Sequence, residues 1–150
     1  MKSLLLPLLA AVALLGAFQP VRAESSDDAL KSAAVAAMLP WLQGIDAGHY
    51  AESWKQAAES FRKALTEEQW IAALDGARKP LGACSKRELA SALYQTDVPQ
   101  PGGKPLHGQF VIAQFKSSFA NLFAAIETVC FEREADGTWR ASGYYIKPAM

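Results

Sequence analysis

A carboxylate at position 127 and a guanidinium at position 87 are the side chains in this sequence best placed to do chemistry. In the run Ala125-Ile126-Glu127-Thr128-Val129-Cys130-Phe131, alternate residues share a face. Glu127 therefore falls on the side of Ala125, Val129 and Phe131. An acid on an apolar face must be paired, hydrogen-bonded or protonated, because burying a lone charge is costly. Arg87 lies on a second alternating stretch, Ala83 to Thr96, and parity puts it on the same face, one diagonal step from Glu127. Three kinds of chemistry follow. A buried Arg87–Glu127 pair would fix strand register. The same two groups could form the polar floor of a pocket for a small polar molecule or peptide, lined by Tyr145, Trp54, Trp70 and Phe115. Glu127 alone, its pKa raised by burial, could be the general base of an isomerase- or hydratase-type enzyme.

Other reactive residues offer less. The two histidines, His49 and His107, stand apart from any group with metal-ligand spacing, so neither metal nor cofactor is expected. Cys84 and Cys130 are expected to be free thiols. In a simple meander Cys130 pairs with Ile112, and Ile112 with a residue near Ala92. Cys84 then lies roughly 25 Å away at about 3.3 Å per residue, and a disulfide needs Cα atoms within about 7 Å. There is no phosphate-binding glycine loop, and Gly102-Gly103 reads as a turn.

The elements that would position Glu127 and Arg87 follow from periodicity. Three strands are expected at Gln109–Ser118, Phe123–Glu134 and Thr138–Lys147, turning at Asn121 and at Ala135-Asp136-Gly137. One face carries Val111, Ala113, Phe115, Val129, Phe131, Ala141, Gly143 and Tyr145; of Tyr144 and Tyr145, Tyr145 is expected inside. Ala83–Thr96 is the first strand, and Asp97–Gly108, rich in Pro and Gly, is a loop. Upstream, Leu30, Ala34, Met38, Trp41, Leu42 and Ile45 keep helical spacing, with Pro40 expected to kink or split the helix near Leu39 and Gly48 suited to a left-handed C-cap. A second helix spans His49–Arg62. A third opens with the capping box Thr66-Glu67-Glu68-Gln69 and stops before Pro80-Leu81-Gly82. Trp41, Trp54 and Trp70 sit on apolar helical faces. The expected fold is α+β, with three N-terminal helices packed on one face of a four-stranded antiparallel meander.

The first residues describe where such a protein works. Lys2 precedes an apolar run from Leu4 to Phe18, and Val21-Arg22-Ala23 supplies small residues at −3 and −1. This is the pattern of a secretory signal peptide over residues 1–23, cleaved after Ala23 and too short for a span of about 20 residues. Residues 24–28 are expected to be disordered or to start a helix, and residues 29–147 to form one domain. The whole chain balances 15 basic against 15 acidic residues; losing Lys2 and Arg22 leaves a slight acidic excess. With no basic tract, nucleic acid is not an expected partner, and no second apolar run is long enough to span a membrane.

Several of these stretches also resemble a known family. Trp41-Leu42 and Asp46-Ala47-Gly48-His49-Tyr50-Ala51-Glu52-Ser53-Trp54 resemble the opening of the DUF4019 family, a family of unknown function. Gln69-Trp70, Pro80-Leu81-Gly82 and Arg87-Glu88-Leu89 resemble its middle. Phe119-Ala120-Asn121, Glu127-Thr128-Val129, Gly137-Thr138-Trp139 and Gly143-Tyr144-Tyr145-Ile146 resemble its end. The Asp-Ala-Gly-x-Tyr turn is also similar to the opening of NTF2-like domains, which implies helices and a curved sheet forming a cone with a pocket inside. The resemblance implies a shape and no reaction. The expected protein is thus periplasmic or secreted: a non-enzymatic small-molecule- or peptide-binding module, or an accessory envelope module. The alternatives are the Glu127 enzyme and a protein that forms homodimers through its outer sheet face, expected to carry Ile112, Gln114, Thr128, Cys130, Tyr144 and Ile146.

Overall fold

The computed structural model describes residues 25–99 and 102–150. The signal peptide expected over residues 1–23 lies outside them. Helix α1 (Ser26–Asp46) begins inside the stretch expected to be either disordered or a helix start. Ser25 caps it by accepting a hydrogen bond from the Asp28 amide at 3.2 Å, and Asp27 and Asp28 complement the positive end of the helix dipole. Pro40 does not split the helix. Pro40 and Ala36 both lie on the exposed side, so the carbonyl that proline leaves without a donor faces water. Met38, Trp41, Leu42 and Ile45, all buried, hold both halves of α1 on the sheet. At the C-terminus Gly48 takes φ 80°, its amide donates to Ile45 and that of His49 to Gly44, each at 2.9 Å. That is a Schellman stop, and it leaves Asp46 in the last helical turn.

The single helix expected for His49–Arg62 is two: α2 (Tyr50–Lys55) and α3 (Glu59–Ala64). Between them Ala58 is extended (ψ 153°), fully buried, and its amide donates to the Ala141 carbonyl at 2.9 Å. Gln56-Ala57-Ala58 contains no helix breaker, so this is tertiary structure overriding local propensity. Helix α4 (Glu67–Ala77) has the expected capping box: Gln69 N–H donates to Thr66 Oγ1 at 3.3 Å and Thr66 N–H to Gln69 Oε1 at 2.9 Å. A 3-10 turn, Lys79–Leu81, follows.

The sheet consists of β1 (Cys84–Val98), β2 (Leu106–Phe119), β3 (Leu122–Arg133) and β4 (Trp139–Pro148), in the order β1-β2-β3-β4, antiparallel throughout and open at both edges. The fold is α+β, with four α-helices among the described residues rather than three. Helix α1 touches all four strands. Between helices and sheet Trp41 stacks on Trp70 at 6.1 Å and meets Phe131 edge-on at 5.7 Å; Phe61, Leu74, Phe115 and Val129 fill the remainder. No helix among the described residues is long and apolar enough to cross a membrane.

One strand runs out of the expected phase. Cys130 pairs with Gly143 but Phe131 pairs with Ala141, so Ser142 is a bulge. The extra residue inverts the face of everything after it. Tyr144 and Ile146 turn inward, while Gly143 and Tyr145 lie on the outer face, where Tyr145 is 70% exposed. The expectation that Tyr145 lines the interior, and that Tyr144 and Ile146 belong to the outer face, is therefore corrected.

Candidate functional site

Glu127 lies in the middle of β3, opposite Phe115 on β2 and Ile146 on β4, and is completely buried. Its Oε1 accepts hydrogen bonds from Arg87 Nε at 2.8 Å and from the Ser117 hydroxyl. Its Oε2 accepts from Arg87 Nη2 at 3.1 Å and from the Tyr144 hydroxyl at 2.7 Å. Arg87 is placed by its register opposite Ser117, two pairs beyond Phe115 and so on the same face. Its guanidinium then spans the gap to α1, where Nη1 and Nη2 bind the two oxygens of Asp46 at 2.7 and 2.9 Å. Asp46 Oδ1 also accepts from Arg78 Nη2 at 2.9 Å, and Arg78 Nη1 donates to the Gly82 carbonyl at 2.7 Å. The Arg78 guanidinium lies 4.4 Å over the ring of Phe119. Nε of this buried side chain has no partner among the described residues.

The result is a chain of alternating charge, Glu127–Arg87–Asp46–Arg78, running from the centre of the sheet to the last turn of α1 and the end of α4. Its physical logic begins at Asp46. An anion in the last turn of a helix opposes the dipole, and burial would raise its pKa; hydrogen bonds from Arg87 and Arg78 outweigh that and hold it below the ordinary value. Burial works to lower the Arg87 pKa, but Asp46 and Glu127 together keep it above the usual range. Burial, then the neighbouring Glu127 charge, pushes the Tyr144 phenol far above its ordinary value, so it stays a donor.

This arrangement can clamp, and it leaves little for catalysis. All four acceptor positions on Glu127 are taken, and a general base must reach the proton it removes. Glu127 is enclosed by Arg87, Ser117 and Tyr144, and Tyr144 in turn meets Trp41 and Trp70 edge-on at 5.8 and 6.3 Å. Of the residues expected to line a pocket, Trp70 is buried with its indole N–H on the Ser53 hydroxyl at 2.9 Å, and Trp54 donates to the Leu65 carbonyl at 2.9 Å. Phe115 is core, and Tyr145 is on the opposite face. Arg87, Glu127 and Phe115 are thus brought together, Trp54 and Trp70 are engaged elsewhere in the packing, and Tyr145 is remote.

Asp46, Arg78, Ser117 and Tyr144 were not anticipated as members. Ser117 shares the inward parity of Phe115, and an acid just before a helix-ending glycine signals a need for cations, so two of the four had a legible sign. An open groove of ≈ 620 Å³ lies elsewhere, among Glu59, Ser60, Arg62, Glu132, Glu134 and Asp136. Cys84 and Cys130 are free, and burial pushes both thiols up, away from nucleophilic thiolates. Among the described residues no group of three or more His, Cys, Asp or Glu is placed to hold a metal.

No curated protein matches the chain. A family described as "Protein of unknown function (DUF4019)" matches residues 37–144, a span that contains Asp46, Arg78, Arg87, Ser117, Glu127 and Tyr144. The clamp therefore lies wholly within the matched region, and the chain belongs to the DUF4019 family.

Proposed function

We propose that this protein is an exported, non-catalytic module, an NTF2-like arrangement with a filled interior, that acts by pairing with a second copy of itself through its bare sheet face. Export rests on the N-terminal sequence. The observation that carries the pairing is a charge-free band crossing all four strands on the side away from the helices. One row of the band is Leu93, Ile112, Cys130 and Gly143; the next is Ser91, Gln114, Thr128 and Tyr145. Leu93 is 53% and Tyr145 70% exposed. Charges bound the band at its two ends, Glu88, Lys116 and Lys147 on one side and, on the other, Glu132, which accepts from Ser60 of α3, and Arg140, which pairs with Glu134 and Asp136. An uncharged centre with an aromatic side chain and a charged rim is the anatomy of an interface. With both signs at each end, a two-fold related copy meets opposite charge in either direction along the strands.

The readings that need an interior cavity are less well supported, because a ligand beside Glu127 would have to displace Arg87 or Tyr144 from a saturated carboxylate. Sedimentation equilibrium of the mature chain tests the proposal. The expected result is a concentration-dependent dimer that Tyr145→Glu and Leu93→Glu each convert to monomer while the circular dichroism spectrum is unchanged. A monomer at every concentration would refute it.

A further inference from the structure

Phe123 is 87% exposed, at the beginning of β3 beside the β2–β3 turn. The turn is braced. Ala120 N–H donates to the Ala83 carbonyl and Asn121 N–H to Leu81, each at 2.9 Å, and Asn121 Nδ2 donates to Pro80 at 2.8 Å. The Ala149 amide binds Ala124 at 3.0 Å from the other side. A ring held out by a braced turn cannot fold back to cover itself. The charged side chains around it are informative. Lys79 and Lys86 are 70% and 62% exposed, and Lys116 and Lys147 are exposed on either side of Ile126. Asp75 lies 3.2 Å from Lys79 and Glu88 3.0 Å from Lys86. Lys116 and Lys147 give the end an excess of positive charge.

We propose that this end of the molecule rests on an anionic phospholipid surface, with Phe123 entering the headgroup region and the lysines facing lipid phosphates. The exposed cations here are lysines, point charges on flexible stems, which suit a diffuse anionic surface better than the fixed geometry of a protein carboxylate. An aromatic ring at headgroup depth supplies the apolar part, and basic side chains within a Debye length supply the electrostatic part. One ring and a few lysines make the attachment weak and reversible.

Co-sedimentation of the mature chain with phosphatidylcholine vesicles, with and without phosphatidylglycerol, tests this. Binding is expected only where phosphatidylglycerol is present, and should fall as salt is raised. Phe123→Ser should lower the partition coefficient roughly tenfold. Lys116→Glu with Lys147→Glu should abolish binding, with circular dichroism unchanged in both variants. Absence of binding to anionic vesicles, as a purely protein partner for Phe123 would give, overturns the proposal. So does equal binding to neutral vesicles, or a Phe123→Ser variant that binds like the parent. Tyr145→Glu serves as the control: it removes the sheet-face dimer and leaves the tip intact, so failure of one proposal is read separately from failure of the other.

Discussion

Asp46 is a member of the clamp whose pKa folding displaces. Its pKa is lowered in the folded protein by Arg87 and Arg78, so folding binds fewer protons there than the unfolded chain does. The stability this contributes is complete above the ordinary carboxylate value of 3.8 and is lost as pH falls through the depressed folded value. Urea unfolding as a function of pH should show this acid loss, and Asp46→Asn should be less stable at neutral pH and show a flatter acid limb. Tyr144 behaves in the opposite sense. Its pKa is raised, so its contribution is present below the ordinary phenol value of 10.0 and is lost as pH rises toward the folded one. In an alkaline spectrophotometric titration, one tyrosine should ionise only together with unfolding, and Tyr144→Phe should remove that step.

At the scale of elements, what the sequence displays and what it conceals separate by cause. The Thr66–Gln69 box, the Gly48 stop and the inward parity of Glu127 and Arg87 were readable, because each depends on residues a few positions apart or on the period of a strand. The break at Ala58 was not, because it is made by a bond to Ala141 on a distant strand. Nor was the Ser142 bulge, since nothing in Ala141-Ser142-Gly143 demands one, and a single extra residue exchanged the two tyrosines. Two predictions belong here. Gly48→Ala meets no atom within 4 Å, so only its φ of 80° is strained, and it should cost about 1–2 kcal/mol in thermal or urea unfolding. Deleting Ser142 would remove the extra residue and leave Ala141 opposite Phe131 and Gly143 opposite Cys130, so Tyr144 should stay inside and Tyr145 outside. Near-ultraviolet circular dichroism should therefore keep the signal of Tyr144 packed edge-on against Trp41 at 5.8 Å, and loss of that signal would contradict Ser142 as the extra residue.

For the molecule as a whole, interior and exterior divide the work. Inside, the buried ion chain ties the end of α1, the end of α4 and all four strands into one cooperative unit, β2 and β4 through Ser117 and Tyr144. Outside, the sheet face carries the charge-free band on which the proposed pairing rests. The residue on which this division turns is Glu127, and the measurement that addresses it most directly is the global unfolding free energy of Glu127→Gln. Removing one partner of a buried, hydrogen-bonded pair should cost about 3–5 kcal/mol, with the sedimentation behaviour of the folded variant unchanged. A variant as stable as the parent would contradict the account, because the carboxylate would then be held in place for something other than the fold.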